Sequence, residues 1–149
     1  MTIFKTPVAF WTLFAILDFN MSPKVETWLV LAEDDLDFAS EVLKNKTRPH
    51  YVAHLCHQSV EKLLKAIVQS LINAMPARTH NFVVLCEQAG IELPKERMQW
   101  LLALAPHYIG TRYPEDLADL RKKYSQAFSE KLYQETKDFF QWLKETFLK

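Results

Sequence analysis

The stretch YVAHLCHQSVEKLLKAIVQSLINAM, from Tyr51 to Met75, decides the fold of this chain. It contains neither glycine nor proline, and it predicts the longest helix of the protein. A second apolar row runs beside the first, so more than one stripe of this helix must be shielded from water. We therefore expect it to lie at the centre of a bundle, in a subunit interface, or both. The first row comprises Val52, Cys56, Val60, Leu63, Ile67 and Leu71, and the second comprises Leu55, Leu64, Val68 and Ile72.

The composition favours a single all-α domain. Of the 149 residues 49% are apolar, which is enough for one core, and two glycines leave little material for hairpins or phosphate-cradling loops. The chain has 18 Lys and Arg residues and 18 Asp and Glu residues, so it has no net charge that would attract nucleic acid. Any binding of RNA must therefore depend on a local cluster of positive side chains. Cys56 and Cys86 lack metal-ligand spacing, and we interpret them as reduced core thiols in a cytoplasmic protein.

Residues 1–21 differ from the rest of the chain. The apolar run VAFWTLFAIL at residues 8–17 is too short to span a bilayer, and no small-residue cleavage site follows it. Met21-Ser22-Pro23 looks like a second beginning, with a capping serine and a proline at the first helical position. We interpret residues 1–21 as an apolar extension from a misassigned start and residues 22–149 as the domain. The alternatives are an apolar arm that packs on the domain or a partner, and export.

Caps and periodicity within residues 22–149 predict an up-and-down bundle of about five helices, because the loops between them are short. Thr79 is the expected cap of the third helix, which Gly90 ends. We expect the segment 107–125 to be less regular. The helices are expected at residues 24–44, between Pro49 and Pro76, at residues 80–89, between Pro94 and Pro106, briefly at residues 114–121, and on the face Leu132 to Phe147.

Two short motifs could bind small ions. His54, His57 and Glu61 share one helix face and could touch one metal, but Glu61 can instead pair with His57 or Lys65, and we expect no metal. The loop Arg78-Thr79-His80 precedes a helix, whose free N–H groups could hold a phosphate. Capping by Thr79 alone also explains that loop.

The segment Tyr108-Ile-Gly-Thr-Arg112-Tyr113-Pro114-Glu115 offers the third feature. Gly110 permits a turn, and Arg112 is then placed between two tyrosines on a stiff loop. Such a guanidinium suits bidentate contact with phosphate or carboxylate, or stacking on a base. The alternative is an arginine that holds the bundle closed through Glu115, Asp116 or Glu61.

Four motifs in this order resemble the HEPN domain, the higher eukaryote and prokaryote nucleotide-binding family. The resemblance runs from about Ser22 to Phe147. It implies a bundle of about five helices, a two-fold homodimer, and often a minimal nucleotidyltransferase partner in a toxin–antitoxin-like or nucleotide-handling pair. The motifs are Ala32-x-x-Asp35-Leu36-x-x-Ala39, His57-Gln58-x-x-Glu61-Lys62-x-Leu64-Lys65-Ala66, Arg78-Thr79-His80 and Tyr108-x-x-x-Arg112-Tyr113-Pro114.

Many members of that family are metal-independent ribonucleases in which an arginine precedes a histidine by a short spacing. The histidine then acts on the ribose 2′-OH, and the arginine stabilises the charged phosphorane. Arg48 and His54 are the candidate catalytic pair here. Pro49 departs from the family pattern, in which a polar residue follows the arginine, and the pair straddles a helix start.

Three functions therefore remain open. The first is a homodimeric binding module that engages a minimal nucleotidyltransferase and holds a nucleotide or an RNA phosphate. The second is a ribonuclease toxin, and the third is an adaptor that docks another protein. We expect no cofactor and no membrane contact. The predicted nucleotide- or phosphate-binding residues are His57, Lys62, Lys65, Arg78, Arg112 and Tyr113.

Overall fold

The computed structural model describes residues 21–148, and this part of the chain forms seven helices and contains no strand. The all-α prediction is confirmed, and five of the helices have eight or more residues. Residues 1–21 are the predicted extension, and of these only Met21 belongs to the described part of the chain. The helices are α1 (Pro23–Asn45), α2 (His50–Ile72), α3 (Phe82–Ala89), α4 (Lys95–Leu104), α5 (His107–Arg112), α6 (Leu117–Lys123) and α7 (Gln126–Phe147).

The two longest helices, α1 and α2, form an antiparallel pair. The predicted start of α1 is confirmed, since the Ser22 side chain accepts a hydrogen bond from the Val25 N–H and Pro23 occupies the first helical position. Lys46, with φ 54°, ends α1 in the left-handed region, and a short loop returns the chain into α2. Ser59 Oγ donates to the Ala32 carbonyl oxygen at 2.9 Å, which joins the two helices in the core.

Helix α2 lies at the centre of the bundle. It packs against α1, α3, α5 and α7. Both predicted apolar rows are buried by this single chain, except that Leu71 and Ile72 in the last turn are 48% and 43% exposed. The second row is therefore covered without a partner subunit, so that row gives no reason to expect a dimer.

The structure differs from the prediction at two helix starts. Asn81 caps α3, because its Oδ1 accepts from the N–H groups of Val83 and Val84. The prediction of Thr79 as that cap is wrong, since Thr79 Oγ1 instead accepts from the Asn81 N–H at 3.1 Å. Residues 107–112, expected to be irregular, form the short helix α5.

The start of α7 fixes the loop between α1 and α2. The Gln126 side-chain amide donates to the Leu43 carbonyl oxygen at 3.1 Å, and Ser129 Oγ donates to the Pro49 carbonyl oxygen at 2.9 Å. These contacts hold Arg48 at the entrance of α2. None of the helices within residues 21–148 has the length and apolar character that crossing a membrane requires.

Candidate functional site

Three histidines surround the ring of Tyr108, the second residue of α5. His80, from the loop before α3, stacks on this ring with centroids 4.2 Å apart. His57 and His54, on the face of α2, lie 5.1 and 5.9 Å from it. Tyr108 is thus the centre of an aromatic cluster formed by three elements that are separate in the sequence. We call these four residues the Tyr108 cluster.

Arg112 lies one helical turn after Tyr108 and covers it. The guanidinium carbon is 4.8 Å from the centre of the Tyr108 ring, and Nη1 donates to the Tyr108 hydroxyl. Arg112 is exposed, and among residues 21–148 it forms no ion pair with a carboxylate. In the alternative expected from the sequence, Arg112 holds the bundle closed through Glu115, Asp116 or Glu61. Within the described part of the chain Arg112 forms no such ion pair.

Glu61 is a buried carboxylate with two partners. Its Oε1 lies 2.7 Å from Lys65 Nζ, which confirms the helical pair expected from the sequence. Its Oε2 accepts from His80 Nδ1 at 2.9 Å and lies 3.8 Å from His57 Nδ1. Glu61 thereby holds His80 against Tyr108 and neutralises Lys65.

The other predicted binding residues are distributed around this cluster. Lys62 pairs with Asp35 of α1 at 2.6 Å, so both candidate lysines already contact a carboxylate. Arg78 is exposed in the loop between α2 and α3, and no ion pair joins it to another residue of the described range. Tyr113 is exposed and follows Arg112 directly.

Burial determines the charge of the histidines on α2. It lowers the pKa of His57 from 6.5 to about 4, against the opposing effect of Glu61. Burial, and after it the positive charge of Arg112, lower the pKa of His54. Both imidazoles are therefore neutral at pH 7. A neutral imidazole has one donor and one acceptor nitrogen. In His54 the acceptor Nε2 already receives a hydrogen bond from Gln58 Nε2 at 2.6 Å, and the His57 side chain is buried.

Arg48 and His54 line the same cavity. It has a volume of about 340 Å³ and opens between α1 and the start of α2. His54 therefore belongs both to the lining of this cavity and to the Tyr108 cluster. The remaining walls are formed by Phe38, Val42, Asn45, Thr47, Tyr51 and Leu55.

Metal and thiol chemistry have little support in the described range. Among residues 21–148 no three His, Cys, Asp or Glu side chains are grouped so that they could hold a metal ion. Cys56 and Cys86 are free and buried. Burial raises the pKa of the Cys56 thiol to about 12 and that of Cys86 to about 11, so both stay protonated.

Sequence reasoning did not give Tyr108 a role of its own. Gly110 led to the prediction of a turn, so helix α5 was not predicted. Tyr108 and Arg112 nevertheless have the four-residue spacing of neighbours on one helix face. In the structure Gly110 lies inside α5, and a Cβ there would be 3.0 Å from the Tyr124 hydroxyl oxygen. The missing side chain of Gly110 therefore allows α5 to pack closely against Tyr124, and Gly110 does not form a turn. The Tyr124 hydroxyl is also 2.8 Å from His107 Nδ1.

The comparisons with known proteins agree with this architecture. The sequence model of the HEPN domain matches residues 25–146, whereas no curated protein and no solved structure matches the chain significantly. The match covers most of the chain and includes every residue of the Tyr108 cluster. It supports a role connected with nucleotides or RNA, or a toxin-like role. The chain belongs to the HEPN domain family.

Proposed function

We propose that this protein is a dimeric binding module that holds a phosphate group of a nucleotide or of RNA at Arg112. The observation that carries the proposal is an exposed guanidinium that is stacked on Tyr108 and has no carboxylate partner within residues 21–148. A minimal nucleotidyltransferase is the proposed protein partner, in a toxin–antitoxin-like pair in the cytoplasm.

The geometry of Arg112 favours an anion. A guanidinium has five N–H donors in a planar fork, and the Tyr108 hydroxyl occupies one of its nitrogens. The stacked ring restricts the orientation of the fork, so less side-chain freedom is lost when phosphate binds. Tyr113 follows this arginine directly, and the Arg112 charge acts on His54. Of the other candidates, Arg78 is exposed in the loop before α3, whereas His57 is buried. Lys62 and Lys65 contribute less, because Asp35 and Glu61 already neutralise them.

Replacing Arg112 by alanine tests the phosphate site. We expect the affinity for ATP, measured by isothermal titration calorimetry, to fall at least about tenfold, since a hydrogen bond to a charged group contributes about 1.5–3 kcal/mol. Arg97→Ala is the matched control, because the Arg97 guanidinium also stacks on an aromatic ring, that of Trp142, at 4.6 Å. If both variants bind ATP as the unchanged protein does, Arg112 is not the phosphate ligand.

The proposed dimer requires a surface other than the second row of α2. An apolar strip on α1 and α2, formed by Leu31, Phe38, Val42 and Tyr51, supports one; Leu31, Phe38 and Tyr51 are exposed, and Phe38 is 55% exposed. Positions 31, 38 and 42 share one face of α1. The strip adjoins the cavity that contains Arg48 and His54.

A charge in this strip should separate the subunits. We expect the wild-type protein to have a dimer mass in light scattering at micromolar concentration, and Phe38→Asp to have a monomer mass, because an unpaired carboxylate would be buried in the interface. Val84→Asp places the same charge at an exposed apolar position on α3 and should leave the dimer intact. A wild-type monomer contradicts the dimer, and a dimeric Phe38→Asp variant contradicts this interface.

The proposed nucleotidyltransferase partner can be tested by the position of its gene and by co-elution of the two proteins. We expect a gene for a small nucleotidyltransferase beside the gene for this protein, and we expect the two products to co-elute in size-exclusion chromatography. Separate elution of the two purified proteins would remove the proposed partner.

The shared cavity of Arg48 and His54 favours ribonuclease activity as a second candidate function. Gln58 Nε2 donates to His54 Nε2 at 2.6 Å. His54 could therefore accept the ribose 2′-OH proton only once this contact opens, with Arg48 beside the phosphate. Incubation with RNA should then give cleavage that Arg48→Ala and His54→Ala each reduce by about 100-fold or more. Cleavage that is indifferent to both substitutions, or no cleavage by the wild-type protein, excludes this pair.

A further inference from the structure

We propose that the groove between the start of α3 and helices α4 and α5 binds an acidic amphipathic helix of a protein partner. We call it the docking groove; its aliphatic walls are Val83, Leu102, Ala105 and Ile109. The inference goes beyond the proposed function, because it concerns a protein ligand and holds whether or not Arg112 binds a phosphate.

The wall formed by α4 and α5 is an exposed apolar surface. Leu102, Ala105 and Ile109 follow one another at spacings of three and four residues, and Ala105 and Pro106 between the two helices also have right-handed helical backbone. Leu102 is 49% exposed and Ile109 is 63% exposed. Single exposed apolar residues are ordinary, whereas a contiguous group of them marks an interaction site.

The rim of the docking groove is positively charged. No acidic residue lines the groove within residues 21–148. Arg78 immediately precedes the lining residue Thr79, and Arg112 covers the ring of Tyr108, another lining residue. Both arginines are exposed, and neither has an ion-pair partner in the described range. Two unpaired positive charges favour a partner segment that carries carboxylates.

The acidic residues that follow Arg112 in the sequence belong to another surface. Glu115, Asp116 and Asp119 line a separate cavity of about 320 Å³. Glu61 is buried and already pairs with a lysine of its own helix. None of these carboxylates pairs with an arginine of the rim, so the charge at the docking groove remains available to a partner.

Aliphatic walls suit protein side chains better than nucleobases. Bases bind by stacking on aromatic rings, but His80 and the Arg112 guanidinium already cover the Tyr108 ring, at 4.2 and 4.8 Å. Phe82, the other aromatic side chain of six carbons in the lining, is 1% exposed. The space of about 480 Å³ can instead receive aliphatic side chains. An amphipathic helix presents such side chains from successive turns, with charged positions beside them.

Selection from a display library of helical peptides tests the docking groove. The full-length protein is the target, and the Leu102→Glu variant serves for counter-selection, because it places a carboxylate at an exposed position of the groove wall. We expect the enriched peptides to have a net negative charge and apolar residues at spacings of three and four. Enriched peptides that are basic or uncharged, or no enrichment over the variant, would overturn the proposal.

The affinity of the best enriched peptide, measured by fluorescence anisotropy, should depend on the groove and on its rim. We expect Leu102→Glu to weaken binding at least about tenfold, whereas Leu117→Glu, the same change at an exposed leucine of α6 outside the groove, should not change it. Arg78→Ala should weaken binding about threefold to fivefold, as the loss of an exposed ion pair does, and Arg97→Ala should have no effect. A peptide that binds Leu102→Glu as tightly as the wild-type protein occupies another surface, and the docking groove is then wrong.

Titration with ATP separates the docking groove from the phosphate site. If an acidic peptide binds in the groove and ATP does not bind, the docking groove stands and the phosphate site is wrong. If ATP binds through Arg112 and no acidic peptide is enriched, the phosphate site stands and the docking groove is wrong. If both are right, peptide and ATP compete, because each contacts Arg112. A single-stranded RNA pentamer whose affinity falls in Leu102→Glu, without any enriched acidic peptide, would make the groove a nucleic-acid surface and would also overturn the proposal.

Discussion

Replacing Leu63 by alanine is expected to lower the free energy of unfolding by about 3 kcal/mol, since a fully buried leucine leaves a cavity when it is truncated. Leu63 has no exposed surface and lies in α2, which packs against α1, α3, α5 and α7. Rearrangement of one neighbouring helix would not fill such a space. Urea denaturation followed by circular dichroism at 222 nm measures the change.

Leu71→Ala is the matched control for this prediction. It makes the same substitution on the same helix at a leucine that is 48% exposed. We expect it to cost less than about 1 kcal/mol. Equal losses for the two variants would mean that α2 is not central to the folding core, and the described architecture would then be incorrect.

The stability of the protein is expected to decrease by about 3 kcal/mol between pH 6.5 and pH 4 because of His57. Burial lowers the pKa of this histidine from 6.5 to about 4. As the pH falls below 6.5, the unfolded chain takes up a proton on His57 while the folded chain stays neutral. The unfolded state therefore binds more protons, and the free energy of unfolding declines until the folded pKa is reached. Burial of His54 and His107 acts in the same direction.

His57→Gln should reduce this pH dependence. Thermal melts from pH 7.5 to pH 4 are expected to show a shallower decrease in Tm for this variant than for the wild-type protein. His50→Gln is the control, because His50 is a histidine on the same helix that burial affects less. An unchanged profile for His57→Gln would show that His57 is accessible to protons in the folded state.

The long helices could be predicted because their signals are local. Ser22 and Pro23 mark the start of α1, and apolar residues at helical spacing mark the buried rows of α2. Both features follow from hydrogen bonding and side-chain periodicity within one segment. The same periodicity could not tell whether the second row of α2 faces its own bundle or another subunit. That choice depends on where α3, α5 and α7 pack.

The candidate site was predicted less completely, because distant residues form it. Arg112 was identified from its own segment, whereas its support on Tyr108 required α5 to be a helix. The ion pair between Lys62 and Asp35 joins α2 to α1, and the hydrogen bond from His80 to Glu61 spans 19 residues. No pattern within one segment of the sequence predicts these contacts, because each joins residues that are far apart in the chain. Only the folded structure therefore shows which lysine and arginine side chains pair with a carboxylate and which do not.

The contact between His80 and Glu61 also determines which tautomer His80 adopts. A carboxylate can only accept hydrogen bonds, so the neutral ring must carry its proton on Nδ1, the atom that lies 2.9 Å from Glu61. The Nε2 lone pair is then directed away from the carboxylate. In its neutral form His80 presents a fixed proton acceptor beside Tyr108, and a ligand that approaches this nitrogen must bring a donor hydrogen of its own.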